Sequence, residues 1–515
     1  MSQRKNIWIL GMLVCALCGA WAQDTSTPPA GEPAPQTTAP QTTVPQSSPQ
    51  EPVPAYGQEN PPPPVSDNPP LSGLDLPSLE PHAAPLSYIQ PGATFSESAD
   101  SNAGDTAGGS AFSSITRGIG SATLKRLWSH YDLAMDYAGG VAYYTLRGIG
   151  WKTLQQMDLD QKVTWKRGQL SLRDSFSYLP EGNFGSSYGS TGSQGISSLG
   201  TTAFGSFFGG SSLGALGQVS RMTNVSLADV SESLTPKSSI TVAGGYAFTH
   251  FYGSDQSTGV NFIGSSQTSG QVGYNRTLTT HTQIALVYGY QAFDFSVFDT
   301  AFHSHVIQGM YGHRITGRMD LLIGAGPQIT LISSCPFFFS GVCLSGTVPN
   351  TKLGVAGQFR LRYKFTRTSL DLRYERFETS GSGVFAGAQS DIARVTANRP
   401  LSRIWSGFAD IGYAHNVRLQ GLTQSETATC NLPGQSNPSL PPCPGVDANA
   451  YSFGFAGVGV HRPFGREFHG YTSYQFSELS FDRSYCGTGA ACGRISNRNV
   501  FTVGLDWTPR PIRID

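Results

Sequence analysis

From about residue 86 onward the chain alternates apolar and polar side chains with period two, in long runs separated by short turn sequences. One pair of runs carries the pattern in full. Leu353, Val355, Gly357, Phe359, Leu361, Tyr363 and Phe365 fall on one face, and Gln358, Arg360, Arg362 and Lys364 on the other. After a turn at Thr366-Arg367, the apolar face continues through Leu370, Leu372 and Tyr374 and the charged face through Asp371, Arg373 and Glu375. Successive side chains of a strand point to opposite faces, so this text predicts two long antiparallel strands. The unit recurs where Met157, Leu159, Val163 and Trp165 alternate with Asp158, Asp160, Lys162 and Thr164. It recurs again where Leu321, Ile323, Ile329 and Leu331 alternate with Asp320, Gly324, Gln328 and Thr330. A wholly apolar face opposite a charged one suits hydrocarbon on one side of the sheet and water on the other.

Eight short turns punctuate these strands, at Ser129-His130, Arg167-Gly168, Pro236-Lys237, Thr280-His281, Gly317-Arg318, Thr366-Arg367, Pro400-Leu401 and Phe464-Gly465. Longer stretches rich in Gly, Ser and Asn lie between them. Adding a first strand at 88–97 and a last at 500–507 predicts eighteen strands, with sixteen as the alternative count. An even number with both ends on the short-turn side is the arrangement of bacterial barrels, short turns in the periplasm and long loops outside. The expected fold is therefore all-β: a closed antiparallel transmembrane β-barrel. Closure leaves no sheet edge, which hydrocarbon demands. A soluble secreted all-β protein such as a propeller is the rival architecture.

Composition adds the flanking segments. Arg4 and Lys5, an apolar run over 7–20 and Ala20-Trp21-Ala22 predict a signal peptide at 1–22. Residues 23–84 are dominated by Pro, Gln, Thr, Ser and Ala, and predict a disordered Pro-rich periplasmic linker. The barrel is expected over 85–508, with a short tail at 509–515. No other stretch is long and apolar enough for a membrane helix, as strands that alternate would have it. Charged residues make up 13% and the net charge is zero, which gives no case for nucleic acid.

Six cysteines follow the signal peptide: Cys335, Cys343, Cys430, Cys443, Cys486 and Cys492. They form three close pairs along the chain, so pairing within each loop is the economical connectivity for an exported protein. Zinc is the competing use, but no Cys-x-x-Cys or nearby His pair supports it. All three pairs fall in the long connections, which predicts disulfides on the outer face.

On these features the chain from residue 86 to 507 resembles the porin-like outer-membrane β-barrel proteins of Gram-negative-type bacteria. The run from Gly92-Ala93-Thr94-Phe95 to Asp100-Ser101-Asn102 is similar to the opening strand of barrel porins found near exopolysaccharide systems. Phe501-Thr502-Val503-Gly504-Leu505-Asp506-Trp507 resembles the signal read by barrel-assembly machinery, although Thr508 to Asp515 follow it here. The resemblance implies the bacterial outer membrane, with both termini periplasmic. It implies outer-membrane lipid, the assembly machinery and small solutes as partners, with no cofactor and with the oligomeric state open. In general porins the loop after the fifth strand folds into the lumen. The similarly placed connection 181–216, with Phe204, Phe207 and Phe208, is the candidate constriction.

Candidate lumen residues are Asp320, Gln358, Arg360, Arg362, Lys364, Asp371, Arg373, Glu375, Asp410 and Asp506. Such charges either set a transverse field that selects solutes or pair with one another and stiffen the wall. No catalytic or metal residue is assigned. Gly185-Ser186-Ser187-Tyr188-Gly189 matches G-x-S-x-G, but a nucleophile elbow needs a strand-turn-helix setting that a Gly/Ser-rich loop lacks. His303, His305 and His313 cluster without a carboxylate or thiol to complete a ligand set. The leading expectation is a passive channel for ions and small hydrophilic solutes. The alternatives are a structural, envelope-assembly or exopolysaccharide-associated barrel plugged by its long loop, and a barrel hydrolase acting through Ser187.

Overall fold

In the computed structural model the described residues are 70–72, 87–103, 112–146, 150–180, 220–252, 262–295, 300–334, 338–339, 342–343, 348–419, 448–482 and 495–514. Eighteen long strands form one antiparallel sheet: β1 (Tyr88–Asp100), β2 (Ser113–Leu127), β3 (Tyr131–Tyr144), β4 (Gly150–Trp165), β5 (Gly168–Leu179), β6 (Ser220–Thr235), β7 (Ser238–Tyr252), β8 (Ser265–Thr279), β9 (Thr282–Phe295), β10 (Thr300–Thr316), β11 (Met319–Ser334), β12 (Val348–Lys364), β13 (Ser369–Thr379), β14 (Ala388–Pro400), β15 (Ser406–Arg418), β16 (Ala450–Phe464), β17 (Phe468–Phe481) and β18 (Ile495–Trp507). Each strand pairs with the next. β1 pairs with β18 from Ala93↔Trp507 to Asp100↔Val500, which closes the barrel.

All eight expected short turns join strands as predicted, and the count of eighteen stands. The first and last strands run further than the alternation alone foretold, to Asp100 and back to Ile495. Above the lipid belt the outward positions turn polar, at Asn497 and Asn499, so the apolar signal fades before the pairing does. The pairing is sustained there by an inward ion pair at the seam. Arg498 donates from Nε (2.9 Å) and Nη2 (2.5 Å) to Asp100 Oδ2, both side chains buried. The residues after Trp507 also stay on the wall. Ile512–Arg513 pairs with Tyr88–Ile89, and the Ile514 amide donates to the Ser87 carbonyl at 3.0 Å.

The two faces divide as the sequence demands. Outward lie Leu353, Phe95, Leu286 and Val355, at 75, 60, 60 and 58% exposure. A membrane core would cover them, and the closed sheet pairs its backbone groups within the wall, as hydrocarbon requires. Trp128, Trp165, Phe365, Trp405 and Phe464 ring the short-turn rim, the place of an aromatic girdle. Inward lie buried polar groups such as Gln328, Thr330 and Asp410. No helix among the described residues could cross a membrane, which says nothing of strands.

At the end away from the short turns, apolar side chains cluster inside the barrel. Phe262, Val384, Phe385, Ala388, Ala448, Tyr451, Phe453, Phe455, Leu479 and Phe481 form one cluster, with Phe251 packed against it. Phe251 is on β7 and Tyr451 on β16, nine strands round the barrel, so they share a cluster only across the lumen. The link is the connection between β13 and β14, which turns inward through a single 3-10 turn, Gly381–Gly383. It can do so because β13 stops pairing with β12 at Gly357↔Arg376, while β12 continues against β11 up to Val348. The amide of Ile263 donates to the Gly383 carbonyl at 2.9 Å, and that of Leu419 to the Gly387 carbonyl at 3.2 Å. Gly383 and Gly387 hold φ of 79° and 86°, a left-handed conformation that favours glycine.

Candidate functional site: the lumen wall

The charged inward face of β11–β15 is a set of arginine–carboxylate pairs. Arg360 Nε lies 3.0 Å from Asp371 Oδ2, and its Nη2 2.5 Å from the same oxygen. Arg394 makes the same fork to Asp410, with Nε at 3.1 Å from Oδ1 and Nη2 at 2.5 Å from Oδ2. Arg362 Nε donates to Asp320 Oδ1 at 3.0 Å, and its Nη2 to the second carboxylate oxygen. Arg373 Nε stands 3.7 Å from Glu375 Oε1. Two-pronged geometry fixes the guanidinium plane as well as its position.

The register explains why these pairs run diagonally. Arg360 sits directly opposite Arg373, and Arg373 directly opposite Arg394, so three arginines form a row across β12, β13 and β14. Like charges directly opposite destabilise a sheet. The carboxylates one step along the strands relieve that cost without breaking the row. The other side of the barrel shows the converse. Asp136 on β3 is directly opposite Asp158 on β4, nine strands from the arginines, with Thr123 Oγ1 donating to Asp136 Oδ1 at 2.6 Å. An arginine row thus faces a carboxylate pair across the lumen.

Of the expected lumen residues, Asp320, Arg360, Arg362, Asp371, Arg373, Glu375 and Asp410 lie in the paired wall. Gln358 reaches Met310, its Nε2 3.8 Å from the sulfur. Asp506 is at the β1–β18 seam and accepts from Thr94 Oγ1 at 2.7 Å. Lys364 is at the short-turn rim, where its amide donates to the Arg318 carbonyl at 2.7 Å. Sequence reading missed Arg394, Asp136 and the Arg498–Asp100 pair. The strand containing Arg394 reads Asp391-Ile392-Ala393-Arg394-Val395, where Ile392 on the inward face spoils the alternation. Only the register with Arg373 reveals it.

The histidines point outward. His303 and His305 hydrogen-bond through Nδ1 to the hydroxyls of Tyr290 and Tyr288, each at 2.9 Å, and His313 Nδ1 meets Thr282 Oγ1 at 3.0 Å. Among the described residues no group of three or more His, Cys, Asp or Glu could hold a metal. The G-x-S-x-G segment with Ser187, the loop residues Phe204, Phe207 and Phe208, the signal peptide, and the side chains of all six cysteines lie outside the described residues. The backbone of Cys343 is described, paired with Phe338 in a small hairpin inside the β11–β12 connection.

No protein-family model and no curated protein matches the chain. Solved structures do. Pseudomonas aeruginosa OccK2 (OpdF) aligns over 82% of this chain and 98% of its own, at 10% identity and a TM-score of 0.38. A BenF-like porin from Pseudomonas fluorescens Pf-5 aligns over 83% and 99%, at 9% identity and 0.38. Pseudomonas aeruginosa OprD aligns over 82% and 95%, at 7% identity and 0.36. The chain is a closed antiparallel β-barrel of eighteen long strands.

Proposed function

We propose that the protein is an outer-membrane channel for passive diffusion of small hydrophilic solutes, selected by the arginine row facing the carboxylate pair. A barrel of eighteen strands has a diameter that side chains of its own wall do not fill. Its exterior matches lipid, and a barrel is the strand architecture that bacterial outer membranes use. The observation that carries the reading is the row Arg360–Arg373–Arg394. A sheet built only for rigidity would not set three cations side by side and then spend carboxylates on neutralising them. Guanidiniums left part-exposed in their ion pairs on one wall, opposite a carboxylate pair on the other, orient water and small ions in a pore. No catalytic step is assigned to the barrel.

Planar-bilayer recording tests the reading. The purified protein is expected to show discrete conductance steps, and Arg373→Ala to shift the reversal potential in a KCl gradient toward cations. The shift should shrink at 1 M salt, where the Debye length is about 3 Å against about 10 Å at 0.1 M. Absence of conductance steps in correctly folded, heat-modifiable protein overturns it.

A further inference from the structure

Three residues from the Pro-rich segment, Pro70–Ser72, are seated inside the barrel on the inward face of β7–β11, close to the short-turn rim. Leu71, 7% exposed, packs with Ala285, Val287 and Met310, with Leu322 against them. Ser72, 2% exposed, is held by three polar side chains of the wall. Its amide donates to Asn275 Oδ1 at 3.0 Å, and its carbonyl accepts from Gln271 Nε2 at 2.6 Å. Its hydroxyl accepts from Asn275 Nδ2 at 2.5 Å and meets the Thr241 hydroxyl. Both backbone polar groups of Ser72 are therefore satisfied by the wall, as a buried peptide requires.

The wall is cut to this shape. A Cβ on Gly273 would lie 2.2 Å from Ser72 Cβ, and one on Gly312 would lie 2.7 Å from Leu71 Cδ2. Two inward positions of long strands are thus left without side chains where the segment rests. In a strand interior glycine weakens the sheet and marks a place where another chain approaches closely. The apolar patch under Leu71 is also foreign to a wet lumen, where Ala285, Val287, Met310 and Leu322 otherwise have no reason to gather. Hydrophobic floor, amide clamp and two glycine notches converge on one dipeptide.

We propose that this recess is a binding site for the chain's own Leu71-Ser72, and that the docked segment is an internal ligand narrowing the channel at its short-turn end. The proposal rests on the channel reading for its effect on conduction, though not for the docking itself. The segment is held by contacts that can be lost without breaking any strand pair, so it is a removable restriction. Its release would widen the path along the β7–β11 wall.

The test uses the full exported chain. A photo-reactive amino acid at position 71 is expected to give adducts within the recess, on Ala285, Val287, Met310, Gly312 or Leu322; adducts confined to positions outside the recess, or none, overturn the docking. Gly312→Leu fills the place of Leu71 and is expected to raise single-channel conductance about twofold, since an obstacle leaves the lumen. The double variant Gly312→Leu with Leu71→Gly restores room and is expected to return the conductance toward the parent value. Equal conductance in all three forms overturns the narrowing and leaves the channel intact. Absence of conductance in all three overturns the channel reading and the narrowing together, while the adducts still report the docking.

Discussion

The two ends of the lumen are both occupied, by opposite means. At the long-loop end the obstruction is part of the wall: the β13–β14 connection, covalently continuous with two strands, lies in an apolar cluster that spans the barrel. At the short-turn end it is a visitor from the N-terminal segment, fixed by one leucine and the hydrogen bonds of one serine. The first is made of buried aromatics on a connection continuous with the strands that carry it. The second can form only once the wall of β7–β11 exists. Obstruction by wall and obstruction by ligand should therefore respond differently to substitution, in stability as well as in conduction.

The largest difference is expected from Phe385→Ala. Phe385 is fully buried between Val384 and Tyr451, with Arg418 over its ring at 4.8 Å to the centroid. Removing a buried phenylalanine costs about 3–5 kcal/mol. Unfolding of the barrel in urea, followed by heat-modifiable gel migration, is expected to move by an amount of that order, with conductance rising as the long-loop end loosens. An unmoved unfolding transition breaks the claim that this end is integral.

Leu71→Ala supplies the counterpart. It uncovers the apolar floor but touches no strand pair. Because the segment can leave the recess, the loss is capped by the docking energy. The unfolding transition is therefore expected to move by less than the ~3–5 kcal/mol of Phe385→Ala. A cost as large as that of Phe385→Ala would make the segment part of the folding core, and the two ends would then be alike.

The contrast also separates what was legible in the sequence from what was not. Alternation exposed the strands, the short turns and most of the arginine wall, because period two is a local property of one strand. Arg360, Arg362 and Arg373 could be placed inward from their own neighbours. Arg394 could not, and neither could the directness of the Arg360–Arg373–Arg394 row, since both depend on register between strands. The same holds for Asp136, whose partner Asp158 is on the next strand. Leu71-Ser72 was the least legible. Nothing in a Pro-rich stretch marks two residues as anchors, and their site is assembled from β7 to β11, some two hundred residues downstream. The inward glycines Gly273 and Gly312 were the available signal, in that each interrupts an otherwise filled inward face.

The smallest effect is expected from the cysteines. Cys335 and Cys343 lie between β11 and β12, Cys430 and Cys443 between β15 and β16, and Cys486 and Cys492 between β17 and β18. All are on connections at the end opposite the short turns. We propose three local disulfides there. Each would close only a short loop, and short loops remove the least chain entropy on cross-linking. Alkylation of the denatured protein is expected to label no cysteine before reduction and six after it. Reduction of the folded barrel is expected to speed proteolysis of the long connections while leaving both the unfolding transition and the Leu71 adducts where they were. If reduction instead abolished the adducts within the recess, the ends would be coupled through the barrel, and the short-turn restriction could no longer be treated as independent of the wall that closes the other end.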